Sequence, residues 1–196
     1  MKKFIYFLGL VLALTLFTAN SGMAQNKQLT KNEQRKLEKQ KKKEERQKKS
    51  LASRQYYAKL IKNKQFVFQA TRLYGPYGRY YSVTPDINFV AVKDNKIILQ
   101  FGFQGVVGWN GVGGITAEGF LKDYRFYPGK NNKQAMTVTA HIRPKGAGGS
   151  PYFTMNISND GSADIQVILE NGETLRMGGQ IYAPSQASVY KGQTFP

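Results

Sequence analysis

The most unusual segment of the chain is rich in glycine and contains its only tryptophan, Trp109. Five glycines stand within residues 105–114. Loops of this kind hold phosphate groups when a strand precedes them and a helix follows. Here apolar residues alternate from Ile115 to Leu121, so a strand follows instead. The context excludes a nucleotide-binding loop and indicates a long hairpin connection, with Trp109 either filling one end of a barrel or lining its mouth.

If the domain binds a ligand, we expect the site at this mouth. Trp109 and Asn110 are the first candidates, and the preceding glycine-containing loop adds Tyr77, Arg79 and Tyr80. A closed barrel of about eight strands can hold one small ligand, and we expect an apolar one. Surface or packing roles are the alternative for each of the loop residues.

The single histidine, His141, is the natural candidate for a general base or a metal ligand. One histidine and no cysteine exclude a multi-His or Cys-ligated metal site and thiol catalysis. Strand alternation places His141 on the polar face with Thr139 and Arg143, facing solvent. The acidic residues lie near turns or on polar faces, and their spacing does not suggest a glycosidase pair. We therefore expect no catalytic residue, metal or cofactor.

The N-terminus has the pattern of a secretory signal peptide over residues 1–24. Two lysines precede an uncharged apolar run from Phe4 to Ala19, and small residues fit cleavage after Ala24. The run is shorter than the about 20 apolar residues that span a membrane, so we expect its removal rather than a retained anchor. The sequence predicts an exported protein, first expected in the periplasm, with secretion as the alternative.

A basic arm follows over residues 25–64. It holds fifteen Lys and Arg against four Glu, whereas residues 65–196 hold twelve Lys and Arg against eight Asp and Glu. Nucleic acid is a disfavoured partner, because export removes the chain from it and no aromatic residue for stacking precedes Tyr56 in the arm. An anionic lipid surface is the nearer polyanion, and a solubilising spacer is the alternative. The candidates for binding an anionic surface are Lys41, Lys42, Lys43, Lys48 and Lys49.

Within the arm, Thr30 and Glu33 have the spacing of a capping box, which predicts a helix beginning at Lys31. Between Thr30 and Ser50 the only large apolar residue is Leu37, so this part is predicted to be a solvated helix or a disordered tail. After that an apolar stripe appears, and we expect this end to dock on the following domain. The stripe consists of Ala52, Tyr56, Tyr57, Leu60 and Ile61.

From residue 65 to 196 the apolar period is 2, which predicts a domain of eight or nine short strands. Asn171-Gly172 marks the clearest hairpin, between Ala163 and Tyr182. No stretch is long enough for a helical crossover, so the sheet should be antiparallel. An up-and-down barrel and a sandwich both satisfy this pattern.

The chain resembles a family of exported proteins classed as domain of unknown function 4251. The resemblance rests on four segments: FVFQA at 66–70, GPYG at 75–78, GVVGWNGVGGIT at 105–116 and ASVYKG at 187–192. It implies export and a compact β-rich domain. It implies no activity and no catalytic residues, because the family is named for lacking a known function.

These observations together predict a non-enzymatic, exported binding module of the cell envelope. The alternative is a structural or protein-interaction module that binds another envelope protein and no small molecule. A hydrolase using Asp, Glu and Ser in a cleft is a third class that the sequence leaves open. The barrel interior separates the first two readings: an apolar cavity near Trp109 favours a carrier, and a filled interior favours outer surfaces and protein partners.

Overall fold

The computed structural model describes residues 30–75, 78–102, 114–145 and 149–192, so the predicted signal peptide lies outside the described residues. The chain divides into two compact units between Glu44 and Glu45. The described residues contain a helix, α1 (Lys31–Lys62), and nine strands. The strands are β1 (Gln65–Tyr74), β2 (Tyr80–Ser82), β3 (Phe89–Lys93), β4 (Lys96–Phe101), β5 (Ile115–Tyr127), β6 (Met136–Pro144), β7 (Tyr152–Ile157), β8 (Ser162–Ile168) and β9 (Thr174–Tyr182).

Helix α1 begins at Lys31, where the capping box predicts its start. The Glu33 carboxylate accepts from the Thr30 backbone N–H at 2.8 Å, and the Glu33 N–H donates to the Thr30 hydroxyl at 3.4 Å. The Thr30 backbone N–H, together with its hydroxyl, holds the pKa of Glu33 below its usual value. Within the described residues, no helix combines the length and the apolar character needed to cross a membrane.

The sheet of the second unit is antiparallel throughout and closes on itself. Strands β1, β3, β4, β5, β6, β7, β8 and β9 pair in that order, and β9 returns to pair with β1. This closure distinguishes the two predicted architectures and confirms the barrel, with eight strands. The additional strand β2 pairs with Arg72–Tyr74 of β1, beyond the part of β1 that pairs with β3. Its three residues are too few to show a strand pattern in the sequence.

The clearest predicted hairpin is confirmed in β8 and β9. Their connection closes with a hydrogen bond from the Leu169 N–H to the Glu173 carbonyl at 2.9 Å. Gly172 has a φ of 82°, which glycine adopts without strain, and the Asn171 side chain accepts from the Glu173 N–H. The turn chemistry therefore sets the register of both strands.

The C-terminal end of α1 packs on the barrel. Ile61 is fully buried in the core, and Tyr57 and Leu60 pack against it, as the apolar stripe predicts. Ala52 at the start of the stripe is exposed, whereas Arg54, which the stripe omits, is buried. Arg54 is tolerated there because its guanidinium donates to the carbonyls of Pro128 and Gln134 and to the side chain of Asn159.

Side chains that point inward from the strands occupy the barrel interior. Alternation along each strand sends every second residue to this core, and the same alternation exposes the intervening residues on the outer wall. The largest fully buried residues of this interior are Phe66, Phe68, Ile97, Met136, Phe153, Met155, Ile157, Met177 and Ile181.

Candidate functional site

One row of outward-facing residues on the barrel is buried. Cross-strand pairing places Gln69 opposite Phe89, Phe89 opposite Gln100, and Gln100 opposite Thr116. None of these four side chains is more than 9% exposed, although each points away from the interior core. We call them the covered row.

The covered row is covered by residues 188–192, which we call the C-terminal strap. Gln69 donates to the Ser188 carbonyl at 2.7 Å, and Gln100 donates to the Tyr190 carbonyl at 2.7 Å. The Gly192 N–H donates to the Gln100 side-chain oxygen at 2.7 Å. These contacts are made to the backbone at alternate residues of the strap, while the Tyr190 side chain is 64% exposed. The wall therefore holds an extended chain chiefly by its peptide groups.

An ion pair fastens the strap at one end. Glu118 accepts from Lys145 at 2.7 Å and from Lys191 of the strap. The hydrogen bond from Lys145, then that from Lys191, holds the pKa of Glu118 below its usual value. Both lysines are about half exposed, so the pair contributes little free energy by itself.

A second part of the outer wall is open. A groove of about 820 Å³ lies over β7, β8, β9 and the end of β1, and we call it the open groove. Its lining from the outer wall consists of Tyr74, Gly75, Gly78, Thr154, Asn156, Asp164, Gln166, Thr174 and Arg176. Ile165 and Met177 also border it, although their side chains belong to the interior core.

Strand pairing arranges the groove residues in two rows. Thr154, Gln166, Arg176 and Tyr74 lie opposite one another on successive strands, and Asn156, Asp164, Gly178 and Arg72 form the next row. Because neighbouring rows on one face are two residues apart, both rows point outward.

Three functional groups converge above Gly178 in the second row. The Tyr74 hydroxyl donates to Asp164 at 3.3 Å, and the Arg72 guanidinium lies 5.9 Å from the centre of the Tyr74 ring. A Cβ atom at Gly178 would stand 2.8 Å from the Tyr74 oxygen, 3.0 Å from Asp164 Oδ1 and 3.2 Å from Arg72 Nη2. The missing side chain thus leaves the space in which the three ends meet.

The groove offers more hydrogen-bond donors than it uses. Within the described ranges, the side chains of Arg176 and Gln166 have no hydrogen-bond or ion-pair partner, and Arg72 forms no ion pair. The described lining holds one carboxylate, Asp164, and one guanidinium group, that of Arg176. A second guanidinium group, that of Arg72, lies beside the lining above Gly178. The site is therefore polar, with positive charge in excess.

The structure describes two of the five residues predicted to bind a ligand, Arg79 and Tyr80. Trp109, Asn110 and Tyr77 lie outside the described residues. Arg79 is exposed and its carbonyl accepts from the Gly75 N–H at 2.8 Å, which closes the β1–β2 turn. Tyr80 is 61% exposed and pairs with Tyr74, so this turn stands beside the open groove rather than against an interior cavity.

The five lysines predicted to bind an anionic surface are all exposed on α1. Three of them belong to the part of the helix before Glu45 and two to the part after it. Between Lys31 and Lys49 every described side chain is exposed, which fits the predicted solvated helix.

His141 faces the outer wall, as strand alternation predicts, with 44% of its side chain exposed. Its Nδ1 atom lies 3.7 Å from Asp123 Oδ2, and its ring contacts Tyr152 at 5.1 Å between centroids. Asp123 reaches it from a bulge where its φ is 54°. Among the described residues, no group of His, Asp and Glu side chains is arranged to hold a metal ion.

Sequence reasoning missed both the open groove and the covered row. A signal for the covered row exists, because Phe89 and Val67 are large apolar residues at outward positions of their strands, which indicates a covering segment. The groove has no comparable signal, since polar residues at outward positions are the ordinary pattern of a barrel wall.

The described residues thus define an antiparallel eight-stranded barrel with an added strand and an N-terminal helix, carrying a ligand-sized groove on its outer wall. The chain belongs to the family described as "Domain of unknown function (DUF4251)", which matches residues 38–181 and confirms the resemblance. Among solved structures, it is similar to a DUF4251 family protein from Bacteroides eggerthii DSM 20697. The two chains are 23% identical with a TM-score of 0.57, and the match covers 74% of this chain and 96% of the other. That likeness shows a shared fold. No curated protein matches the chain.

Proposed function

We propose that the protein is an exported, non-enzymatic binding module of the cell envelope that holds a small polar ligand in the open groove. The observation that carries this proposal is a concave site of about 820 Å³ whose guanidinium and amide donors, on Arg176 and Gln166, have no partner among the described residues. Pockets of a few hundred to about 1,000 Å³ are the usual size for small-molecule ligands. Hydrogen-bond donors that lack a protein partner in a groove are satisfied by a ligand or by water.

This proposal changes the expected ligand from apolar to polar. An apolar ligand was expected at the barrel mouth beside Trp109, which lies outside the described residues. The described interior is occupied by large side chains such as Phe66, Phe68 and Phe153. The open groove instead presents amides, hydroxyls and charges. A polar ligand is favoured because an apolar one would remove these groups from water without replacing their hydrogen bonds.

A binding role is favoured over hydrolysis by the carboxylates of the groove. A glycosidase mechanism uses two carboxyl groups that flank the scissile bond. The described lining holds one, Asp164, whose Oδ1 accepts from Tyr74. The His141 and Asp123 pair is exposed on the wall and is absent from the described lining of the groove.

The groove is tested by nuclear magnetic resonance on labelled mature chain, residues 25–196, titrated with a panel of polar metabolites. We expect shifts to cluster on Thr154, Gln166, Arg176 and Tyr74. Shifts confined to residues 103–113 would instead support the mouth site at Trp109, and the absence of any ligand in the panel would count against a small-molecule function.

The basic arm supports the envelope part of the proposal. Ten basic residues stand between Lys31 and Lys49 against four acidic ones, all exposed, and each basic residue near a charged surface is worth about 1 kcal/mol. We expect the mature chain to sediment with vesicles containing anionic lipid at low salt. Replacing Lys41, Lys42, Lys43, Lys48 and Lys49 by Gln should abolish this, and replacing them by Arg should not. Equal sedimentation of the Gln variant would contradict the role of the arm.

A protein-interaction module is the second candidate, favoured by exposed aromatic side chains. Tyr80 and Tyr81 of β2 are each 61% exposed on a three-residue strand that pairs on one side with β1. Exposed aromatic residues are enriched at protein interfaces. Capture of an envelope protein by the mature chain, lost in a Tyr80→Ser, Tyr81→Ser variant, would support this candidate over the first.

A further inference from the structure

The open groove carries a more specific statement about its ligand, which rests on the function proposed above. We propose that the groove binds a saccharide that carries an anionic group. The observations are the two outward rows of polar side chains, the convergence above Gly178, and the two guanidinium groups, Arg176 in the lining and Arg72 beside it, against the carboxylate of Asp164.

The anionic group follows from the charges. Arg72 and Arg176 lie on adjacent strands one row apart, and neither has a carboxylate partner within the described ranges. A guanidinium group presents several donors in a plane and binds carboxylate or phosphate oxygens in pairs. Asp164 carries one negative charge and forms no ion pair within the described ranges, so it does not neutralise both arginines.

The hydroxylated part of the ligand follows from the mixture of donors and acceptors. Gln166 presents an amide donor and an acceptor, and Asn156 presents an amide donor while its oxygen accepts from the Thr137 hydroxyl. Thr154 adds a hydroxyl, and Asp164 accepts only. A sugar ring matches this set, because each of its hydroxyls donates one hydrogen bond and accepts others. A simple anion such as acetate would use the arginines and leave the amides without a partner.

The covered row indicates what a peptide site on this barrel looks like. There an extended peptide lies over Phe89, and its backbone is held by Gln69 and Gln100. The open groove has amides too, but its outward-facing lining, within the described residues, contains no wholly apolar side chain like Phe89 for a peptide to bury. This difference favours a small hydrophilic ligand over an extended peptide.

Four probes that share one ring or one charge test the assignment by calorimetry on mature chain 25–196. They are galacturonate, a galactose phosphate, galactose and acetate. We expect galacturonate or the galactose phosphate to bind, and their relative affinities identify which anion the arginines read. Galactose and acetate should each bind at least about tenfold more weakly. Galactose loses the charge-assisted hydrogen bonds of the anionic group, and acetate loses the neutral hydrogen bonds of the sugar hydroxyls.

Variants on the wall supply matched controls. Arg72→Gln and Arg176→Gln should each weaken the acidic sugar about tenfold and change galactose affinity little. Arg125→Gln removes the same charge two strands outside the groove and should change neither. Gly178→Ala, whose Cβ displaces the ends of Tyr74, Asp164 and Arg72 without removing a charge, should weaken every sugar that binds while the melting temperature stays close to that of the wild type.

The failures are distinguishable. If galactose binds as tightly as galacturonate, or if the arginine variants bind galacturonate as tightly as the wild type does, the anionic group is wrong while groove binding stands. If acetate or an acidic peptide binds as tightly as the acidic sugars, the saccharide is wrong. If no sugar binds, the assignment is overturned, and the metabolite titration of the groove then decides the broader function independently.

Discussion

The covered row and the open groove occupy two parts of one barrel wall, built by the same pleat and carrying similar amide side chains. The chain supplies the partners of the buried Gln69 and Gln100 from its own strap and from the carbonyls of Pro85 and Ile87. Gln166 has no partner among the described residues. The difference teaches that polarity at an outward position does not define a site. What defines it is whether the protein satisfies the polar group itself.

Removing the strap should produce the largest effect. Truncation after Ala187 exposes Phe89 and removes the hydrogen bonds that Gln69 and Gln100 make to the strap. We expect the free energy of unfolding to fall by about 3 kcal/mol, since burial of a Phe side chain is worth about 1.5–3 kcal/mol and each hydrogen bond about 1 kcal/mol. Urea unfolding measures the loss, and binding of an apolar dye reports the exposed row.

Truncation after Gly192 is the matched control, because it keeps the residues that contact Gln69 and Gln100. Equal stability of the two shortened chains would mean that the strap covers the row without stabilising it. The distinction between a satisfied and an open wall would then be wrong.

Removing one amide side chain from the covered row and one from the open groove sharpens the comparison. Gln100→Ala leaves the carbonyls of Ile87 and Tyr190 and the N–H of Gly192 without their side-chain partner in a buried place. Each such group costs about 1–3 kcal/mol, and relaxation of the strap lowers the sum, so we expect a loss of about 2 kcal/mol. Gln166→Ala, in the open groove, should stay within about 0.5 kcal/mol. Similar losses for both variants in urea unfolding would erase the contrast.

The covered row and the open groove also differ in how far the sequence predicts them. Period-2 alternation and turn residues such as Asn171-Gly172 predict the strands and the antiparallel class, because these depend on local chemistry. Closure does not follow, since the pairing of β9 with β1 joins residues about 110 positions apart in the chain. The groove depends on that closure, because Tyr74 and Arg72 reach Arg176 and Asp164 only when β1 and β9 pair. The strap shows no strand pattern, and its signal is Phe89, a large apolar residue at an outward position of β3.

The smallest effect concerns the ion pair that fastens the strap. The pKa of Glu118 is lowered by its bonds to Lys145 and Lys191, so the folded state favours the charged form. Its contribution to stability is therefore fully present above the unfolded pKa, near 4.5, and is lost as the pH falls through the lower folded value.

Glu118→Gln should cost below about 1 kcal/mol at neutral pH, because both lysines are half exposed. The difference in free energy of unfolding between this variant and the wild type should vanish in acid, where Glu118 is protonated and as neutral as the Gln that replaces it. Glu173→Gln, on an exposed turn, should show no pH-dependent difference from the wild type. A cost that persists in acid would mean that Glu118 holds the strap by shape or packing, and that the covered wall is closed by Gln69, Gln100 and Phe89 without help from charge.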